Sequence, residues 1–261
     1  MRSTFNASGG SAGPEPRRPK VIGIIGGMGP EATADLFWRI VRLVPASKDQ
    51  DHPRVLIDSN AQIPDRTAAI KGEGPSPLPM LVETARGLER AGAEVLAMPC
   101  NSAHYWYDEI AAAVRVPVLH MIRLAAAATR QALEERVGRS GTPVLLLATT
   151  GTVLGGTYQR AFEEAGLRLV VPEAAVQERV MEAIYRVKAG QRAVARPLAL
   201  DALARETLRL VPGAVVLGCT ELPLVLRRED TAVPLIDSTE VLARAVVEYA
   251  VGSVAEEAAG T

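Results

Sequence analysis

Short apolar runs recur along the chain, with longer stretches of helical period between them. Runs of Val, Ile, Leu and small residues at 21–26, 55–58, 95–98 and 116–120 predict four buried strands. Four more follow at 144–148, 167–171, 214–218 and 233–236. Leu36, Phe37, Ile40, Val41 and Val44 form a helical stripe, as do Leu81, Ala85 and Leu88, and Val176, Val180, Ile184 and Val187. Strand alternating with helix predicts an α/β fold of parallel sheets with helices on their faces. Trp38 and Trp106 are assigned to the core.

The eight runs divide four and four, and the halves share one order. Gly26-Gly27-Met28-Gly29 closes the first strand of one half; Thr149-Thr150-Gly151-Thr152 closes that of the other. The third strand of each half ends on a cysteine, Cys100 or Cys219, and a Val-Pro strand follows each. The expected architecture is two similar domains, each a four-stranded parallel sheet flanked by helices. They are related by a pseudo-two-fold, with the site in the cleft between them. Ligands in open α/β sheets bind beyond the carboxyl ends of the strands, where both cysteines fall. Segments 71–79 and 138–143, rich in Gly and Pro or closed by them, are candidate linkers.

Composition narrows the class. Of 261 residues, 48% are hydrophobic and 23% charged, ordinary globular values that supply a sizeable core. The net charge is −1 with both signs interspersed, which gives nucleic acid or a membrane surface no electrostatic handle. No apolar run reaches membrane-spanning length. Residues 1–19 lack an apolar h-region and read as a disordered tail rather than a secretory signal; 256–261 read as a flexible C-terminus. Two cysteines in such a chain point to a reduced, cytoplasmic setting.

The cysteines carry the chemistry. Small polar residues after each strand open what reads as a helix, and a helix N-terminus favours thiolate over thiol. The bland reading is two inert core thiols. A thiolate and a thiol on opposite faces of one carbon can remove a proton and return it with inversion. Backbone N–H groups and polar side chains of Asn101, Ser102, Thr150, Thr152 and Thr220 can meet the negative charge that develops. Arg66 and Lys188 lie between the second and third strands of their halves, and two cations with two thiols suit an amino dicarboxylate. Gly27-Met28-Gly29-Pro30-Glu31-Ala32 also fits a dinucleotide fingerprint, but the acidic residue expected further on arrives late, at Asp58. His104, one helical turn past Cys100, reads as a structural histidine. Glu221 suits a helix start by charge alone. No metal-ligand spacing is present.

Together the motifs resemble the aspartate/glutamate racemase family, on its aspartate racemase branch. They are Ile22-Gly23-Ile24-Ile25-Gly26-Gly27-Met28-Gly29-Pro30-Glu31-Ala32-Thr33, Gln62-Ile63-Pro64-Asp65-Arg66-Thr67 and Met98-Pro99-Cys100-Asn101-Ser102-Ala103-His104. Leu147-Ala148-Thr149-Thr150-Gly151-Thr152 and Leu217-Gly218-Cys219-Thr220-Glu221 follow in the same order. The resemblance implies a racemase free of pyridoxal and other cofactors, two facing domains and a homodimer. It implies Cys100 and Cys219 as paired acid and base, and Arg66 and Lys188 as substrate-gripping cations. Met28, Gln62, Asn101, Ser102, Thr150, Thr152, Thr220 and Glu221 complete the implied substrate-binding set. A domain swap is implied too: 20–115 plus 232–255 form the first domain and 116–231 the second. The last strand then joins the first domain, and 116–120 joins the second.

Ser102 stands where the family usually has Thr, and Arg123 where relatives often carry an acid. Gly-Gly-Met-Gly and Glu221 replace the Asp-Ser-Gly opening and the histidine of glutamate racemases, so aspartate is the preferred substrate. Broad-specificity amino-acid racemases share these features. A dicarboxylate cis–trans isomerase or a decarboxylase on the same fold, or a non-catalytic dicarboxylate binder, are the competing readings.

Overall fold

The computed structural model describes residues 18–136 and 141–252. Residues 1–17 of the expected tail, residues 138–140 of the candidate linker at 138–143, and the C-terminus at 256–261 lie outside them. The first half runs β1 (Ile22–Gly26), α1 (Pro30–Leu43), β2 (Val55–Ser59), α2 (Arg66–Ile70), α3 (Leu78–Arg90), β3 (Val95–Ala97), α4 (Tyr107–Ala112) and α5 (Met121–Glu134). The second runs β4 (Val144–Ala148), α6 (Thr150–Leu154), α7 (Thr157–Glu164), β5 (Leu169–Val170), α8 (Ala174–Lys188), α9 (Arg192–Leu210), β6 (Ala214–Gly218), β7 (Leu235–Asp237) and α10 (Ser238–Val251).

Two parallel sheets result, ordered β2-β1-β3 and β5-β4-β6-β7. β1, β4 and β6 are buried along their whole length, which explains their unbroken apolar runs. Successive side chains of a strand serve opposite faces. In the first sheet Ile22 and Ile24 pack with Leu36 and Ile40 of α1 and Leu242 and Val246 of α10. On its other face Ile25 and Leu96 pack with Leu81, Ala85 and Leu88 of α3. In the second, Leu145 and Leu147 meet Val180, Ile184 and Leu203 of α8 and α9. Leu146 and Val216 meet Ile122 and Ala125 of α5 and Phe162 of α7. Each such side chain, fully buried, is worth about 1.5–3 kcal/mol.

The fourth strand of the first sheet is reduced to one parallel bridge, Leu96 to Val118. Leu96 N–H donates to the Pro117 carbonyl at 2.8 Å and Leu119 N–H to the Leu96 carbonyl at 2.9 Å. Val118 thus takes the place that β7 takes beside β6, where Val215 N–H donates to the Pro234 carbonyl at 2.9 Å. This corrects the expected strand exchange. Each Val-Pro strand stays beside the cysteine-bearing strand that precedes it, as strands consecutive in sequence usually do. The helices cross instead. The apolar stripe of α5 is buried mainly against the second sheet, that of α10 against the first, and the two helices pack on one another.

Other expectations change locally. Trp106 is buried, but Trp38 is 60% exposed, because it lies on the face of α1 opposite Leu36 and Ile40. Segment 71–79 is the loop joining α2 to α3, 71–77, with the first two residues of α3; it lies within one lobe and links no domains. Among the described residues, no helix is long and apolar enough to cross a membrane.

Candidate active site

Both cysteines sit where their strands end. Cys100 follows β3 and precedes a 3-10 turn, Ser102–Trp106; Cys219 follows β6 and precedes another, Leu222–Leu224. The turn after Cys100 runs on into α4, whereas after Cys219 the helical turn ends at Leu224, so the helix N-terminus expected beside both thiols is not matched at Cys219. A cavity of ≈ 10 Å³, the space of about one water, lies between the sheets. Met28, Cys100, Asn101 and Ser102 line it from the first lobe; Thr149, Thr152, Lys188, Gly218, Cys219, Thr220 and Glu221 line it from the second.

The local reasons differ on the two sides. Met28 belongs to the turn from β1 to α1, where Gly27 takes φ 92° and a Cβ would meet the Asn60 backbone at 2.3 Å. Pro30 then starts α1, its missing N–H lost at no cost in the first turn. Thr149 caps α6, its hydroxyl accepting from Thr152 N–H at 3.1 Å.

The thiols are held unequally. The Cys219 thiol donates to the Glu221 carboxylate at 3.0 Å, and Thr220 Oγ1 lies 3.4 Å from the same oxygen. Burial and the Glu221 charge raise the Cys219 pKa well above its ordinary value, against the pull of the Lys188 ammonium. The lowered pKa expected for this thiol is therefore corrected: burial and Glu221 hold Cys219 in its protonated form. Cys100 instead has a hydroxyl beside it, Ser102 Oγ at 3.6 Å from its sulfur.

Lys188 ends α8 and exposes much of its surface, yet its ammonium reaches the field of the cavity. Burial of the ammonium opposes its charge, but Glu221, Cys219 and Cys100 outweigh that cost and raise its pKa; Arg66 opposes them. Arg66 is buried at the start of α2, and its Nη1 donates to the carbonyls of Ile63 at 3.1 Å and Pro64 at 2.9 Å. Its Nε is buried without a hydrogen-bond partner among the described residues.

Three sequence candidates lie off the cavity wall. Arg66 faces its own loop, Gln62 is exposed, and Thr150 lines a separate open cleft of ≈ 670 Å³ with Gln177, Met181 and Tyr185. Thr149 is on the wall and was missed; as the N-cap directly after a strand, it carried the signal. His104 is satisfied internally: its ring joins the Cys100 carbonyl at 2.9 Å and accepts from Met121 N–H at 3.1 Å. Arg123 lies outside the wall, beside His120 and Tyr107 in a separate polar pocket.

Paired sheets with a cysteine at matching strand ends, facing one cavity, define a two-lobed α/β isomerase-like site. Residues 25–246 match the Asp/Glu/hydantoin racemase family, and the chain belongs to it. Membership supports an isomerase or racemase activity. An aspartate racemase from Picrophilus torridus superposes with TM-score 0.77 at 32% identity, over 88% of this chain and 94% of that one. An aspartate racemase homologue from Pyrococcus horikoshii gives 0.67 at 29%, over 88% and 99%. In sequence, a broad-specificity amino-acid racemase, RacX of Bacillus subtilis, is 27% identical over 236 residues, 87% of this chain and 96% of that one.

Proposed function

We propose that this chain is a cofactor-independent racemase of an acidic amino acid, aspartate first, acting through Cys100 and Cys219. The observation that carries the reading is the single cavity wall that the two cysteines share from opposite lobes. A Cys100 thiolate takes the α-proton: the C–H bond breaks, an S–H bond forms and the electron pair stays on the substrate. The Cys219 thiol returns a proton to the opposite face, its S–H electrons remaining on sulfur. The product is inverted, the thiol roles are exchanged, and the other enantiomer runs the steps backward. Lys188 favours the Cys219 thiolate as it forms.

Substrate choice follows from the cations. Lys188 and the unspent Nε of Arg66 supply charge for two carboxylates once side chains part to admit the substrate. The Picrophilus aspartate racemase supports aspartate. The RacX relationship favours a second reading, a broad amino-acid range.

The test is incubation with L-aspartate, L-glutamate and neutral amino acids in deuterated water without added cofactor, following α-hydrogen exchange and optical rotation. Cys100→Ser and Cys219→Ser are each expected to abolish net inversion. Undiminished inversion in either defeats the two-thiol reading.

A further inference from the structure

A buried chain of hydrogen bonds crosses between the lobes directly behind the two thiols. Tyr158 of α7 donates its phenolic O–H to Asn101 Oδ1 at 2.7 Å. Asn101 Nδ2 donates to Ser238 Oγ at 3.2 Å, and Ser238 O–H donates to the Leu217 carbonyl at 2.8 Å. Tyr158 and Ser238 are fully buried, and Asn101 is 3% exposed. The Leu217 carbonyl can only accept, so Ser238 donates to it and takes its own hydrogen bond from Asn101 Nδ2, which turns Asn101 Oδ1 toward Tyr158.

Its two ends are adjacent to the chemistry. Asn101 follows Cys100, and Leu217 precedes Cys219 by two residues on β6. Ser238 stands where the backbone passes from β7 in the second sheet to α10 against the first. Its position is itself fixed: Asp237 caps α10, accepting from Thr239 N–H at 2.8 Å and Glu240 N–H at 3.2 Å. A low-dielectric interior strengthens such a series and makes any broken link costly.

We propose that Tyr158 and Ser238 are positioning residues: acting through Asn101, they fix the turn bearing Cys100 against the strand bearing Cys219 and so set the gap between the thiols. The assignment rests on the two-thiol reading above. Two-base inversion needs both sulfurs in reach of one carbon, and a displacement of about 1 Å can cost about a hundredfold in rate. Loss of the second thiol's position leaves proton removal intact and starves return on the opposite face.

The experiment compares wild type with Tyr158→Phe, Ser238→Ala and Ser238→Thr, measuring inversion and α-deuterium exchange of aspartate separately. In Tyr158→Phe and Ser238→Ala the ratio of inversion to exchange is expected to fall about tenfold or more, and Ser238→Thr to restore it. A fall of both rates in equal proportion, as from lost folded enzyme, overturns the proposal; so does an unchanged ratio. A second arm needs no turnover. Alkylation rates of Cys100 and Cys219 by iodoacetamide, read by mass spectrometry, are expected to change at least about threefold in the two variants, and unchanged rates at both thiols overturn the assignment. If the wild type inverts no amino acid, the proposed function fails while this arm still decides the positioning role.

Discussion

The Cys219 thiol and the Glu221 carboxylate are joined at 3.0 Å, both buried and both on the wall that Cys100 shares. A carboxylate that accepts from a thiol stabilises the protonated form twice, through the hydrogen bond and through its charge. Glu221→Gln removes the charge. We expect the Cys219 thiolate to form at lower pH, by about one unit, so that its alkylation at fixed pH becomes about tenfold faster. The pH profile of iodoacetamide labelling checks this. A profile unmoved by the substitution separates Glu221 from the acidity of Cys219.

The same pair makes stability fall in alkali. Cys219 has a folded pKa raised above its unfolded value, so its contribution is fully present below pH about 9 and is lost as pH rises toward the folded value. The Tm of wild type should decline above pH 9, and Cys219→Ala should flatten that decline. Parallel melting curves from pH 8 to 10.5 decide it; equal slopes contradict it.

In acid the sign reverses. Burial lowers the His104 pKa to about 4, and its ring must be neutral to accept from Met121 N–H. Stability from this group is complete above its unfolded pKa, about 6.5, and is lost as pH falls through about 4. His120, lowered to about 3 by burial, His104 and Arg123, acts in the same direction. Urea unfolding of His104→Asn between pH 6.5 and 4 should therefore show a pH dependence smaller than wild type by about 3 kcal/mol.

Arg39 ties α1 to the start of α10. It pairs with Asp35 at 2.8 Å, Asp237 at 2.7 Å and Glu240 at 3.1 Å. Burial alone raises the Asp237 pKa, and Arg39 counters it. Arg39→Met should cost about 2–3 kcal/mol, less than a fully buried pair because these side chains keep some solvent. Adding Asp237→Asn should recover part of the loss in a double-mutant cycle measured by denaturant.

The lobes also touch where Gly151 of α6 meets Thr67 of α2. A Cβ on Gly151 would fall 2.6 Å from Thr67 Oγ1 and 2.8 Å from Thr67 Cα. The backbone atom cannot swing aside. Gly151→Ala should cost about 1–3 kcal/mol in denaturant unfolding. A variant as stable as wild type would show that the lobes part here freely.

Much of this was written locally in the chain. Uninterrupted apolar runs identified the buried strands, helical stripes identified α1, α3 and α8, and the matched cysteines marked both strand ends. Those features depend on residues a few positions apart, where backbone geometry and side-chain period act directly. Asn101, Ser102, Thr152 and Thr220, which share one wall, were legible by the same logic, since strand ends converge; Met28, Lys188 and Glu221 on that wall were expected from the family resemblance.

Only the tertiary structure decided that the helices, rather than the strands, cross between lobes, since a Val-Pro strand carries no mark of its partner. It also decided that Arg66 turns to its own loop and that Cys219 is held as the thiol. A pKa depends on burial and on charges brought close by folding, not on neighbours in sequence. Tyr158 had no local signal at all: a tyrosine in the first turn of a short helix gains its meaning only from Asn101, 57 positions away.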